Sequence, residues 1–196
     1  MTDVLESLKS QLGPAAIQQI SRTLGADPQT TSSAVSTALP AILAGLSRNA
    51  SHPQGAAALN SALDAHDGSI LDNLGGVLGG GGGGIGGAIL GHIFGGKRGA
   101  VEQGVGTASG LNAQQVSQLL MMLAPIVMGV LGRAKQQSNL DASTLPNVLQ
   151  QSTQKMQQES PALGGLASIL DSNHDGNIAD DVARIGTSVL GGFFKK

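Results

Sequence analysis

Only three of the 196 side chains are aromatic, all of them Phe, and the chain has no Trp or Tyr. A core must therefore be assembled from Leu, Ile, Val, Ala and Met. Such side chains suit closely packed helices better than a sandwich of strands, which favours β-branched and aromatic residues. The apolar share, 40%, is enough for one core or for two small ones.

Proline and glycine then divide the chain into helical lengths. Thr2 can cap a first helix near 3–12, in which Val4, Leu5, Leu8 and Leu12 recur at helical spacing. Gly13 and Pro14 end it and open a second near 14–24, since Pro fits the first helical turn. A third is predicted over 28–48, interrupted and kinked at Pro40. A fourth follows near 54–65 and a fifth near 70–78. Beyond residue 84, helices are predicted near 85–94, 98–108, 112–134, 144–157, 161–170 and 179–194. The 112–134 segment has the clearest stripe, built from Val116, Leu119, Leu120, Leu123, Val127, Val130 and Leu131 and widened by Met121, Met122 and Met128. A stripe of this kind reads as core, with an exposed Met-rich groove as the rarer use.

Six consecutive glycines, Gly79 to Gly84, lie in a Gly-rich span that reaches Gly96. Glycine loses the most backbone entropy on ordering, so 79–96 reads as a flexible linker between a module over 1–78 and a module over 97–196. The halves have the pattern of a diverged duplication. A shift of 85 residues carries Gly25 onto Gly110, Pro40 onto Pro125, Leu46 onto Leu131 and Arg48 onto Arg133.

The densest chemistry is in Asp171-Ser172-Asn173-His174-Asp175-Gly176-Asn177-Ile178. Oxygen side chains at loop positions 1, 3 and 5, Gly at 6 and an aliphatic residue at 8 open an EF-hand-type calcium loop. Asp171, Asn173 and Asp175 would supply side-chain oxygens and Asn177 its carbonyl. Position 12 is Val182 rather than the usual bidentate Glu, so Asp180 or Asp181 would have to close a shortened loop around calcium. The plainer reading is an Asp-Gly turn that caps the next helix. A degenerate echo, His66-Asp67-Gly68 to Asn73, lies in the first half, with Asp64 in place of a properly spaced ligand.

Several motifs along the chain resemble a family. Leu24-Gly25-Ala26-Asp27, Ala38-Leu39-Pro40-Ala41-Ile42-Leu43, Gly91-His92-Ile93-Phe94-Gly95, Ser109-Gly110-Leu111, Leu123-Ala124-Pro125-Ile126-Val127 and the closing Asp171–Asp181 segment are similar to the bacterial domain-of-unknown-function family 937. The resemblance covers most of the chain. It implies the all-helical, homeodomain-like arrangement of the related YidB-like proteins, and no catalytic residue comes with it. The expected fold is all-α, with two diverged helical modules in homeodomain-like or orthogonal packing joined by the Gly-rich linker.

Other chemistries find less footing. Gly91 to Lys97 has the GxxxxGK spacing of a phosphate loop, but Arg98 replaces the magnesium-binding hydroxyl and no strand precedes it. His52, His66, His92 and His174 form no i, i+4 pair, and His92 reads as a packed or capping residue. With no Cys and no nucleophile motif, an enzyme is not expected. Net charge is −2 and charged residues are 12%, which argues against nucleic acid. The runner-up function is nonetheless a helix–turn–helix DNA-binding protein, with 28–48 as its recognition helix. No apolar run approaches the ~20 residues of a membrane span, and the acidic, amphipathic start does not read as a signal peptide. The expectation is a non-enzymatic cytoplasmic protein, an interaction or structural module with a calcium loop. An unidentified protein is its expected partner, and a homo-oligomer is compatible with the sequence.

Overall fold

Three helices begin at a proline and three end at a left-handed glycine. The computed structural model of the protein describes residues 4–159 apart from Asp67, Gly82 and Asn139. Within them, α1 is Val4–Gln11, α2 Pro14–Leu24, α3 Pro28–Ala50 and α4 Pro53–Ala65. A 3-10 turn at Ser69–Asn73, the single turn α5 (Leu74–Gly76) and a π turn at Val77–Gly81 lead into α6, Gly83–Phe94. A 3-10 turn at Gly95–Lys97 joins it to α7 (Arg98–Ser109), which is followed by α8 (Ala113–Ser138) and α9 (Leu145–Glu159). The fold is all-α, with no strand among the described residues.

Local chemistry fixes the helix ends. Gly25 takes φ +63° after α2, and the amide of Ala26 closes the turn by donating to the Ser21 carbonyl. The Asp27 carboxylate then accepts from the amides of Gln29 and Thr30 at 3.0 and 2.9 Å, capping α3. The α7–α8 corner has the same layout. Gly110 has φ +82°, and Asn112 accepts from the Gln115 amide at 2.9 Å while the Gln115 side chain accepts from the Asn112 amide at 3.1 Å. A long-range hydrogen bond ties the two corners together, from the Gln115 side chain to the Leu24 carbonyl at 3.1 Å.

Helix α8 is the axis of the core. Val116, Leu119, Leu120, Leu123, Val127, Val130 and Leu131 are all buried, as the stripe predicts. Met122 and Met128 are buried with them, and Met121 is half-buried. Both long helices run through their proline, α3 through Pro40 and α8 through Pro125. Helices α1, α3, α4, α6 and α7 all pack on α8, and α3 also contacts α2, α4, α6 and α7.

The span 79–96 is not a linker over most of its length. Gly83–Phe94 is helical, and Ile89, Leu90 and Ile93 are buried in the same apolar cluster as Leu5, Ile42 and Leu149. Met1–Met156 forms one compact unit, so 1–78 and residues 97 onward do not form separate modules within it. The physical reason is packing: α6 lies on α8, and burial of its aliphatic side chains offsets the entropy its glycines lose. The expectation about membrane-spanning length is corrected as well. Helix α8 is long and apolar enough to cross a membrane, with a mean hydropathy of 1.6 over its most apolar window, of which 78% is buried inside the protein. The core helix of a folded domain has this composition too.

Candidate ligand groove

Helices α4 and α6 both rest on α3 and α8, and an open groove of about 950 Å³ runs between them. Leu46 of α3, Ile93 of α6 and Met128 of α8 form its apolar floor. The walls carry small side chains: Gly55, Ala58 and Ala62 on α4, Gly84 and Ala88 on α6. Ile85, on the α6 lip, is the exposed large apolar side chain of the described residues, at 55%. Most buried surface in this fold is aliphatic, but here aliphatic surface is left open to water.

Polar groups gather at the rim. Asn49, near the end of α3, donates from its amide to the carbonyls of His92 and Ile93 at 2.9 and 3.2 Å, fastening the end of α6 to α3. His52, Gln54, His66 and His92 complete the polar lining, with no Asp, Glu, Lys or Arg among the described residues that face the groove. His52 stands directly before α4, whose first turn has no side-chain cap. His66 closes the other end of α4, with Nδ1 2.8 Å from the Ala62 carbonyl. A carbonyl only accepts, so Nδ1 carries the proton in that contact and Nε2 is left as the second polar atom of the ring.

The structure thus places three of the four histidines along one groove, although no two of them have metal-ligand spacing in sequence. Their grouping does not make a metal centre: among the described residues no cluster of three His, Cys, Asp or Glu side chains is close enough to hold an ion. His92 is exposed at the rim rather than packed or capping, because the buried face of α6 is formed by Ile89, Leu90 and Ile93. The GxxxxGK match dissolves into helix, since Gly91 to Phe94 is the last turn of α6 and Gly95–Lys97 a 3-10 turn.

The degenerate first copy of the calcium loop has carboxylates engaged by α8. Arg133 donates to the Gly68 carbonyl and to the Asp72 carboxylate, both at 3.0 Å. Lys135 donates to the Asn60 carbonyl at 2.8 Å and pairs with the Asp64 carboxylate. Asp64 and Asp72 therefore both have protein cations as partners. The residues predicted to bind calcium, Asp171, Asn173, Asp175, Asn177, Asp180 and Asp181, lie outside the described residues.

Neither the curated proteins nor the solved structures include a significant match to the chain. A family model described as "Bacterial protein of unknown function (DUF937)" matches residues 6–134. That stretch runs from α1 through most of α8 and takes in every helix of the groove, so the chain belongs to this bacterial family.

Proposed function

We propose that the protein is a non-enzymatic interaction module that takes an apolar ligand into the groove between α4 and α6. One observation carries the reading: an uncharged aliphatic cleft, floored by core residues and flanked by the exposed Ile85, lies open on the described surface. Ligand sites are commonly clefts between helices, largely apolar and edged by a few polar groups. We include in the proposal a weak calcium site at 171–181, supported by the oxygen spacing of that sequence. Calcium there would fix the angle between the segments before and after the loop.

The DNA-binding alternative has less behind it. Helix α3, its recognition helix, is packed by α2, α4, α6, α7 and α8, and Arg48 is the one Lys or Arg along its length. A reader of base edges needs a free helix face and cations for phosphate.

The groove reading is tested with Nile red, a neutral apolar dye whose fluorescence rises on leaving water. The wild-type chain is expected to bind it, and Ala58→Trp or Ala88→Trp, each placing an indole across the groove, to abolish that binding with the melting temperature unchanged. Dye bound equally by both variants would place it elsewhere and overturn the reading.

A further inference from the structure

The groove combines features that select one ligand chemistry. Its volume of about 950 Å³ lies at the upper end of the small-molecule range. Along its length Ala58 and Ala88 present no more than a methyl group, so an aliphatic chain can lie flush between the helices and cover Ile85. The ends of the groove differ from its middle in that the polar groups sit at the rim. Those polar groups are one-sided: imidazoles can donate hydrogen bonds, and no carboxylate among the described residues lines the cleft to oppose an anion. Asn49 is occupied by the α6 carbonyls and His66 lies at the far end of α4 with its Nδ1 on the Ala62 carbonyl, leaving His52, His92 and Gln54 as the groups that would meet a polar head.

Resting on the groove reading above, we propose that its ligand is a single-chain amphiphile with an anionic head, a fatty-acyl carboxylate in type, whose chain lies along α4 and α6 and whose head is met by His52 and His92 at the end of the groove that Asn49 fastens. A carboxylate gains from imidazole donors in a way that a neutral or cationic head does not. The chain adds burial of aliphatic surface, which is the larger and less selective contribution.

The test is displacement of bound Nile red from the full-length protein by three ligands of equal chain length: dodecanoate, 1-dodecanol and dodecyltrimethylammonium. Each is kept below its micelle concentration. Dodecanoate should displace at a concentration about tenfold lower than either of the others, the scale of one charge-assisted hydrogen bond. In the combined variant His52→Gln, His92→Gln, that tenfold advantage should disappear while 1-dodecanol binding is kept, which also shows that the variant is folded. Equal displacement by all three ligands in the wild type would overturn the anionic assignment and leave the groove reading standing. Displacement by none of them, with dye still blocked by Ala58→Trp, would overturn the amphiphile and point to a larger partner. A dimer in light scattering that excludes the dye and is broken by Ile85→Glu would overturn it in favour of a second copy of the chain. Failure of Ala58→Trp to block the dye would remove the groove reading itself.

Discussion

Gly86 on α6 faces the main chain of Met121 on α8 so closely that a Cβ at Gly86 would lie 1.9 Å from the Met121 carbonyl oxygen. Backbone cannot give way as the tip of a side chain can, so this crossing admits hydrogen and nothing larger. The approach lets Ile89, Leu90 and Ile93 reach the core, and it sets the α6 wall of the groove.

Two glycines on the same helix should accordingly respond in opposite directions. Gly86→Ala forces α6 away from α8 and should lower stability by about 1–3 kcal/mol, the usual cost of overpacking. Gly91 has no atom within 4 Å of the place its Cβ would occupy, and its backbone is helical. Gly91→Ala should therefore raise stability by about 0.5–1 kcal/mol through the lost freedom of the unfolded chain. Urea midpoints of the two variants, read by far-UV circular dichroism, decide the matter. Similar midpoints for both would mean that α6 does not press on α8.

Local features of this fold are legible in the sequence, and long-range ones are not. The caps at Gly25, Asp27, Gly110 and Asn112 follow from residues within a few positions of each other, and the α8 stripe is a strong 3.6-residue pattern, so both can be read directly. Helix α6 cannot, because glycine's intrinsic preference points to a flexible chain. The packing that overrides it comes from α8, a separate helix far along the chain, where Met121 lies against Gly86. The groove is hidden for a similar reason. His52, His66 and His92 come from the two ends of α4 and the end of α6, and only tertiary packing brings them to one cleft.

Asp141, in the turn ahead of α9, should make stability sensitive to acid. Its carboxylate accepts from the Ser143 hydroxyl at 2.7 Å, the Thr144 amide at 2.9 Å, the Thr144 hydroxyl at 3.0 Å and the Ser143 amide at 2.9 Å. These bonds, that from the Ser143 hydroxyl foremost, hold its pKa down to about 2 from an ordinary 3.8. Since the folded pKa lies below the unfolded one, the unfolded chain takes up this proton first as pH falls. The stabilisation is thus fully present above the unfolded value and is lost as pH drops through that interval. Asp141→Asn removes the charge, so its melting temperature should fall below that of the wild type at neutral pH and converge with it toward about pH 2. A gap that stays constant across the acid range would show that the charged form does not stabilise this turn.

Calcium should raise the melting temperature of metal-free protein, because a ligand that binds the folded state and not the unfolded one stabilises it by mass action. Three side-chain oxygens, from Asp171, Asn173 and Asp175, and the carbonyl of Asn177 leave coordination to be completed by Asp180 or Asp181 and water. With Val182 in place of the bidentate Glu, affinity should be weak, on the order of 10⁻⁵ to 10⁻³ M. Asp175→Ala deletes the central ligand and should abolish the thermal shift. Asp67→Ala should leave it intact, since the first-copy loop already has Asp64 and Asp72 paired with Lys135 and Arg133. Magnesium should do less, because it requires a tighter octahedron than this loose set of oxygens provides. Isothermal titration with millimolar calcium that gave neither heat nor a thermal shift would reduce Asp171 to Asp181 to an Asp-Gly turn capping the segment that follows.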